Sequence, residues 1–267
     1  MNRILRVSLA GAIAVFLCSA QNPAGSAPRT GNGYLSSSEM PDVVRIVPPA
    51  PKDGDPRFKN DMAIFHATRA LQGSARWALA QSDDNMSTAG LLQAFSCAIG
   101  VQLSAEKAPK LTALIAKATA DAAAAAGVLK DFYKHKRPFQ VEDAVVCLTP
   151  QRKSELERVP DYPSGHTTAG WETGLILAEL APDRSTAVLA RARAFGQSRI
   201  VCGVHNESAV EAGWMTASSV FAAQNGNREF RADMEAAKAE LKTLRAAPSQ
   251  MGGRCTRETQ ALANNPY

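Results

Sequence analysis

Hydrophobic residues recur every three or four positions along most of the chain, which is the pattern of amphipathic α-helices. Alternating apolar and polar runs, typical of β-strands, are not found at useful length, and there is no internal repeat. We therefore expect an all-α fold built as a single helical bundle, with one domain over residues 56–246. The pattern predicts helices over residues 58–81, 88–103, 111–134, 164–180, 183–199, 205–224 and 228–245.

Proline, glycine and polar residues mark the segments outside these helices. Residues 21–55 are rich in Pro, Gly and Ser, so we expect an extended arm that lies over the domain or loose in solvent. Pro138 ends the long alanine-rich helix, and a polar connection follows over residues 140–163. Residues 247–267 read as a polar C-terminal tail.

The first twenty residues have the three-part layout of a secretory signal. Residues 1–6 carry two arginines, residues 7–17 are apolar, and Cys18-Ser19-Ala20 offers small residues for cleavage. The alternative, a single membrane anchor, is disfavoured because the apolar run is short. We expect a signal peptide over residues 1–20, export to the periplasm, and a mature chain without stable membrane insertion, since no later stretch is sufficiently long and apolar.

Composition and charge narrow the classes of protein. Hydrophobic residues make up 45% of the chain but aromatic residues only 6%, so the core is built largely from Ala and Leu and favours close helix packing. The net charge of +5 suits a small anionic substrate. No Lys/Arg run or basic–aromatic stripe indicates nucleic-acid binding.

The cysteines predict two disulfides. Loss of the signal removes Cys18 and leaves an even number, which in an exported chain indicates disulfide bonds; buried free thiols are the alternative. Sequence alone allows three pairings, and the spacing is not that of a zinc site. The four remaining cysteines are Cys97, Cys147, Cys202 and Cys255.

Three polar clusters are candidates for chemistry. The first cluster contains Lys130 and Arg137, which lie two helical turns apart and can hold phosphate oxygens, unless they belong to a solvated basic face.

The second cluster is Pro163-Ser164-Gly165-His166, where a helix begins with backbone N–H groups that can bind an anion, although an ordinary helix start has the same appearance.

The third cluster contains Arg199 and His205, and the Cys202-Gly203 pair between them is expected to end a helix. A histidine close to a phosphate held by arginines can attack phosphorus, whereas a histidine that stands alone is more often structural.

The order and spacing of the three clusters resemble the signature of the class A bacterial non-specific acid phosphatases, within the phosphatidic acid phosphatase type 2 superfamily. That signature runs Lys-x6-Arg-Pro, Pro-Ser-Gly-His and Ser-Arg-x5-His-x3-Asp. Residues 130–138, 163–166 and 198–205 match every position up to the last. Residues 95–100, 170–171 and 177–181 also look like family sequence, so the resemblance covers roughly residues 60–246.

The resemblance implies a role for each matched residue. His205 attacks phosphorus and forms a phosphohistidine, and His166 protonates the leaving alcohol and then activates water. The cage that holds the phosphate oxygens needs no metal or other cofactor. Its members are Lys130, Arg137 and Arg199, with backbone donors at Ser164 and Gly165. His66 and His135 match no motif position and are taken as structural. Family-like surroundings also suggest pairing Cys97 with Cys147, which leaves Cys202 with Cys255.

The chain departs from the signature at its last position, where Ala209 replaces the acid that holds the nucleophilic imidazole. Such an acid fixes the tautomer and stabilises positive charge on the ring. Glu211 or Glu207 can take its place from a shifted position, with Glu211 preferred. Alternatively Asn206 or a backbone carbonyl orients the ring in a slower enzyme, or the chain only binds phosphate.

We therefore expect an acid phosphatase that hydrolyses small phosphate monoesters with broad specificity, and a homo-oligomer is plausible from the resemblance. Two other functions stay open. A vanadium haloperoxidase shares the same oxyanion cage, and a periplasmic phosphate-binding protein without catalysis is consistent with Ala209. A membrane-embedded lipid phosphatase is disfavoured because spanning helices are not found.

Overall fold

The computed structural model describes residues 32–247 and 251–263, so the predicted signal peptide lies outside the described residues. These residues contain helices and no β-strand, which confirms the all-α prediction. The helices are α1 Val43–Ile46, α2 Pro56–Arg69, α3 Ala75–Ser82, α4 Thr88–Ile99, α5 Pro109–Tyr133, α6 Pro138–Val141, α7 Pro150–Glu157, α8 Gly165–Leu180, a 3-10 turn Pro182–Arg184, α9 Ser185–Cys202, α10 Glu207–Gln224, α11 Arg228–Ala246 and α12 Gly252–Ala263.

The predicted helix over residues 58–81 is wrong as a single element, because α2 and α3 are separated by a turn. Gly73 has a φ of +77°, a left-handed conformation that glycine adopts without strain and that interrupts a helix. Ser74 then begins α3, its side chain accepting a hydrogen bond from the Trp77 amide. The polar connection over residues 140–163 likewise contains α7, capped by Thr149.

The core of the bundle is formed by α8 together with α5, α9 and α10, which pack around it. Small residues allow the close approach: a Cβ added at Gly170 would lie 2.3 Å from the Phe195 ring, and one at Gly174 would lie 2.5 Å from Ala192. Close packing through Gly and Ala is what a sequence rich in Ala and poor in aromatic residues indicates.

One segment passes a membrane-span test that we expected no later stretch to pass. Residues 109–141 have the length and mean hydropathy to cross a bilayer, by length and composition alone. Apolar side chains in the first half of α5 face the bundle, where Leu114, Ile115 and Ala118 are fully buried, whereas Val128 and Phe132 near its end are exposed. An alanine-rich core helix has the composition of a span because both must be apolar on several sides.

The described part of the N-terminal arm packs on the domain. The Tyr34 amide donates a hydrogen bond of 2.9 Å to Asp121 on α5, and its ring meets Phe230 edge-on at 5.2 Å. Further along, the Tyr162 hydroxyl donates to the Pro48 carbonyl at 2.6 Å. The arm therefore reaches the loop that precedes α8.

The structure contains two disulfides, as predicted, but the predicted pairing is wrong. Cys97 pairs with Cys255, and Cys147 pairs with Cys202. The C-terminal helix α12 packs on α3 and brings Cys255 to α4, while the Cys147 amide donates to the Cys202 carbonyl at 3.0 Å. Packing of distant segments decides the pairing, and motif surroundings carry no information on it.

Non-reducing peptide mapping tests this pairing, because trypsin leaves the four cysteines in four different peptides. We expect residues 255–257 to be linked to residues 77–107, and residues 137–152 to residues 200–228. Replacing Cys147 and Cys202 together by Ser should lower the free energy of unfolding by about 2–5 kcal/mol, because the loop between them is no longer closed in the unfolded chain. A link between Cys97 and Cys147 would contradict the structure.

Candidate active site

Three chain segments converge at the N-terminus of α8. Lys134, the residue that follows α5, has a left-handed φ of 49°, which ends the helix and turns the chain toward Arg137. Gly203, the residue that follows α9, has a φ of +79°, and the turn there brings the His205 amide to the Arg199 carbonyl at 3.3 Å. The predicted clusters around Lys130, Arg199 and the start of α8 therefore meet in space.

Arg199 is fully buried and only partly paired. Its Nη2 donates to Asp84 Oδ1 at 2.7 Å, whereas Nε and Nη1 have no hydrogen-bond partner. Leaving charged donors buried and unpaired is costly, so native proteins provide them with an acceptor. The two free donors therefore make Arg199 a candidate for binding an anion.

Arg137 and Lys130 are held in place by backbone carbonyls. Nε of Arg137 donates to the carbonyls of Leu156 and Val159 at 3.0 and 2.8 Å. Lys130 Nζ donates to the carbonyls of Pro160 and Asp161. Burial, together with the nearby charge of Arg137, lowers the pKa of Lys130 to about 7.

Gly165 lies beside this lysine: a Cβ added there would meet Lys130 Cε at 4.0 Å. Its amide belongs to the first turn of α8, where N–H groups have no intrahelical acceptor. We call the group formed by Lys130, Arg137, Arg199 and this helix terminus the cage.

Ser164 caps α8 and does not offer the backbone donor that we expected. Its Oγ accepts from the Thr167 amide at 3.3 Å, and its own amide donates to the Ala209 carbonyl at 2.8 Å. The amide is thus already used in holding α8 against α10. Of the two expected backbone donors, the structure leaves that of Gly165.

The hydrogen-bond partners of His205 define its protonation state. Nδ1 lies 2.7 Å from Asp161 Oδ1, an acceptor, so it carries the proton. Nε2 lies 3.1 Å from Nη1 of Arg137, a donor, so it carries the lone pair. Burial and the charge of Arg137 outweigh Asp161 and hold the pKa of His205 well below its usual value. The ring is therefore a neutral imidazole with its basic nitrogen in the cage.

Asp161, and not Glu211 or Glu207, is the carboxylate that holds His205. Glu211 is exposed, and Glu207 accepts a hydrogen bond from Asn60 at 3.1 Å. Both side chains lie on the face of α10 that borders α2, and for this reason neither reaches the imidazole. Asn206 does not orient the ring directly either, since its Nδ2 donates to Asp161 Oδ2 at 2.8 Å.

Asp161 is fully buried and ionised. Burial opposes its charge, but the hydrogen bonds from His135 and His205 outweigh burial and hold the pKa of Asp161 below its usual range. Sequence reasoning missed this residue. The signal was an acidic residue directly before Tyr162-Pro163-Ser164, in a segment that the motif already marks.

His166 faces Asp84 across the site. Its Nε2 lies 3.0 Å from the Asp84 carbonyl oxygen and 3.5 Å from Oδ1. Burial and the charge of Arg199 lower the pKa of His166 to about 4, against the opposing effect of Asp84. Asp84 also pairs with Arg152 at 3.4 Å. Neither Asp84 nor Arg152 was singled out in the sequence.

The two remaining histidines differ in environment. His66 is half-exposed and pairs with Glu142 at 3.3 Å. His135 lies against Asp161, with Nδ1 3.3 Å from Oδ2. Among residues 32–247 and 251–263, no three His, Cys, Asp or Glu side chains are grouped so as to hold a metal ion.

Comparison with known proteins finds a superfamily model and several phosphatases that are similar to this chain. A family model described as the PAP2 superfamily matches residues 110–225. An acid phosphatase of Zymomonas mobilis is 41% identical over 206 residues, covering 77% of this chain and 78% of that protein. A non-specific acid phosphatase of Providencia stuartii is 33% identical over 248 residues, 92% and 100% of the two chains. One from Salmonella typhimurium is 30% identical over 209 residues, 78% and 83% of the two chains.

The fold and the cage define a class of all-helical oxyanion-binding proteins. Within this class the chain belongs to the PAP2 superfamily, among its bacterial acid phosphatases.

The unpaired donors of Arg199 predict phosphate binding that depends on this one arginine. Replacing Arg199 by Met should weaken the binding of inorganic phosphate at least about tenfold, because charge-assisted hydrogen bonds are lost. Titration calorimetry measures the affinity, and circular dichroism checks folding. Arg193→Met, on the exposed side of the same helix, is the matched control. Equal affinity in both variants would contradict the placement of the anion.

Proposed function

We propose that this protein hydrolyses phosphate monoesters at acid pH through a phosphohistidine on His205. The observation that carries the proposal is the neutral imidazole whose Nε2 lone pair lies beside Arg137 in the cage. A nucleophile on phosphorus must be unprotonated, and a cationic surrounding stabilises the charge on the transferring group. Membership among the bacterial acid phosphatases supports the same reaction.

In the first step, Nε2 of His205 attacks phosphorus and the bond from phosphorus to the alkoxy oxygen breaks. The leaving oxygen takes a proton from His166. Positive charge develops on the attacking ring, and the Asp161 carboxylate at Nδ1 stabilises it. The cage holds the three non-bridging oxygens, with the free donors of Arg199 supplying new hydrogen bonds.

In the second step, the now neutral His166 accepts a proton from water as the water oxygen attacks phosphorus. The bond from phosphorus to Nε2 breaks, and inorganic phosphate leaves with His205 neutral again. The cage residues stay in place through both steps because backbone carbonyls hold Arg137 and Lys130.

Acid pH favours this chemistry for two reasons. His166 has a pKa of about 4, and the negative charge of a bound phosphate beside it raises that pKa, so the ring of the substrate complex is protonated at acid pH. Lys130 has a pKa of about 7 and therefore carries its positive charge below neutrality. Both groups lose the required proton as the pH rises.

The finer assignments are also proposals. The three-part motif supports class A among these phosphatases. Export to the periplasm is supported by the signal-like residues 1–20 and by the two disulfides. Small phosphomonoesters of varied leaving group are the substrates that a cage directed at the phosphate alone would accept. A homo-oligomer stays a prediction of the resemblance.

Hydrolysis of p-nitrophenyl phosphate by the mature protein in the presence of EDTA tests the central proposal. We expect turnover that resists EDTA and falls as the pH rises above 7, because Lys130 becomes neutral. His205→Ala should abolish turnover, since no nucleophile remains. His66→Ala, which changes a half-exposed histidine outside the site, is the control. A folded, inactive wild type would favour phosphate binding without catalysis, and bromide oxidation with added vanadate would favour a haloperoxidase.

Replacing Asp161 tests which carboxylate supports the nucleophile. Asp161→Asn should lower kcat by up to roughly 10⁴-fold, the loss found when the corresponding aspartate of a serine protease is replaced. Phosphate affinity should change little, because the cage is intact. Glu211→Gln and Glu207→Gln should keep kcat within about twofold, since neither side chain reaches His205. Loss of kcat in Glu211→Gln but not in Asp161→Asn would contradict this assignment.

A further inference from the structure

Two histidines share the carboxylate of Asp161. His205 Nδ1 contacts Oδ1 at 2.7 Å, and His135 Nδ1 contacts Oδ2 at 3.3 Å. A backbone hydrogen bond of 2.8 Å from the Asp161 amide to the His135 carbonyl fixes the pair. The second histidine belongs to no motif, and the proposed mechanism does not use it.

The two rings have different partners at their other nitrogen. His135 Nε2 lies 3.1 Å from the Pro51 carbonyl oxygen, so both of its nitrogens face acceptors. Only the doubly protonated imidazolium donates at both positions. His205 faces one acceptor and one donor, Arg137 Nη1, and is satisfied as a neutral ring.

From these contacts we infer that His135 is a positioning residue. It is the protonated ring beside the shared carboxylate, so that His205 stays neutral and nucleophilic at acid pH. The inference rests on the proposed role of His205. An unbalanced Asp161 would draw a proton onto His205 as the pH falls, and the nucleophile would be lost. The charge of His135 offsets Asp161 without touching the substrate.

The groups around each ring support this division. Burial disfavours charge on His135, but the hydrogen bond and the charge of Asp161 outweigh it, and Asp61 on α2 adds to them; together they raise the pKa of His135. The His135 and Tyr162 rings pack in a T-shaped arrangement with 6.4 Å between their centroids. The Asp61 carboxylate is itself held by Ser208 at 2.5 Å.

Around His205 the balance has the opposite sign. Burial disfavours the imidazolium, the cations Arg137 and Lys130 oppose it further, and Asp161 favours it. The side chain of His135 is 13% exposed, which gives it access to protons, whereas His205 is 2% exposed. A proton taken up by the pair therefore belongs on His135.

The chain has four histidines, so their ring nitrogens can be followed individually by NMR with labelled histidine. At pH 6 we expect both nitrogens of His135 to be protonated and His205 to show a protonated Nδ1 with a bare Nε2. This measurement needs no turnover and no variant. A neutral His135, or an imidazolium at His205, would overturn the inference.

The kinetic test is His135→Gln, which keeps a donor toward Asp161 but cannot carry charge. Without the cation the pKa of His205 rises, and the acid limb of kcat/KM moves to higher pH. We expect the midpoint of the acid limb to move up by about one pH unit, so that on that limb kcat/KM of the variant is about tenfold lower than that of the wild type, whereas at pH 7 the two agree. His66→Gln is the matched control, because that histidine pairs with Glu142 instead.

The outcomes separate this inference from the proposed function. An equal loss on the acid limb and at pH 7 would mean that His135 only supports the fold, and would overturn the inference while leaving His205 as nucleophile. Failure of the proposed function would appear instead as an inactive wild type or as turnover that survives in His205→Ala. Should His135→Gln fail to fold, the NMR titration of the wild type still decides.

Discussion

The hydrogen bond between Asp161 and His205 is the interaction on which the site depends. It fixes the tautomer of the imidazole, aims Nε2 into the cage, and places a negative charge where positive charge develops during attack. The family signature places this acid four residues after the histidine. Here it comes from the loop before α8, and Ala209 occupies the signature position.

The buried Asp161 carboxylate stays ionised because its hydrogen-bond partners compensate the free-energy cost of removing it from water. Asp161 accepts from His205, His135 and Asn206, and its carbonyl accepts from Lys130. Without these contacts, the burial of an ionised carboxylate would strongly destabilise the fold. Arg199 is a buried positive charge to which the same principle applies, and Asp84 pairs with only its Nη2. Its Nε and Nη1 donors have no partner in the protein and are the groups that we propose bind phosphate.

Much of the fold and the members of the cage could be predicted from the sequence, because helical periodicity and the motif are local patterns. Lys130, Arg137, Gly165, Arg199 and the two motif histidines do lie together. Asp161 could not be assigned to His205, because 44 residues separate them and only the packing of α8 against α9 and α10 brings them close. The disulfide partners were missed for the same reason, since α12 carries Cys255 back to α4.

Trapping the covalent intermediate tests the role of His205 most directly. The protein is mixed with radiolabelled phosphomonoester, quenched at alkaline pH where phosphohistidine survives, reduced and digested with trypsin. His205 lies in the peptide of residues 200–228, which contains no other histidine. We expect the label in that peptide alone, and its loss in His205→Ala. Label in the peptide that carries His166, or rapid turnover with no trapped label, would contradict a nucleophilic His205 held by Asp161.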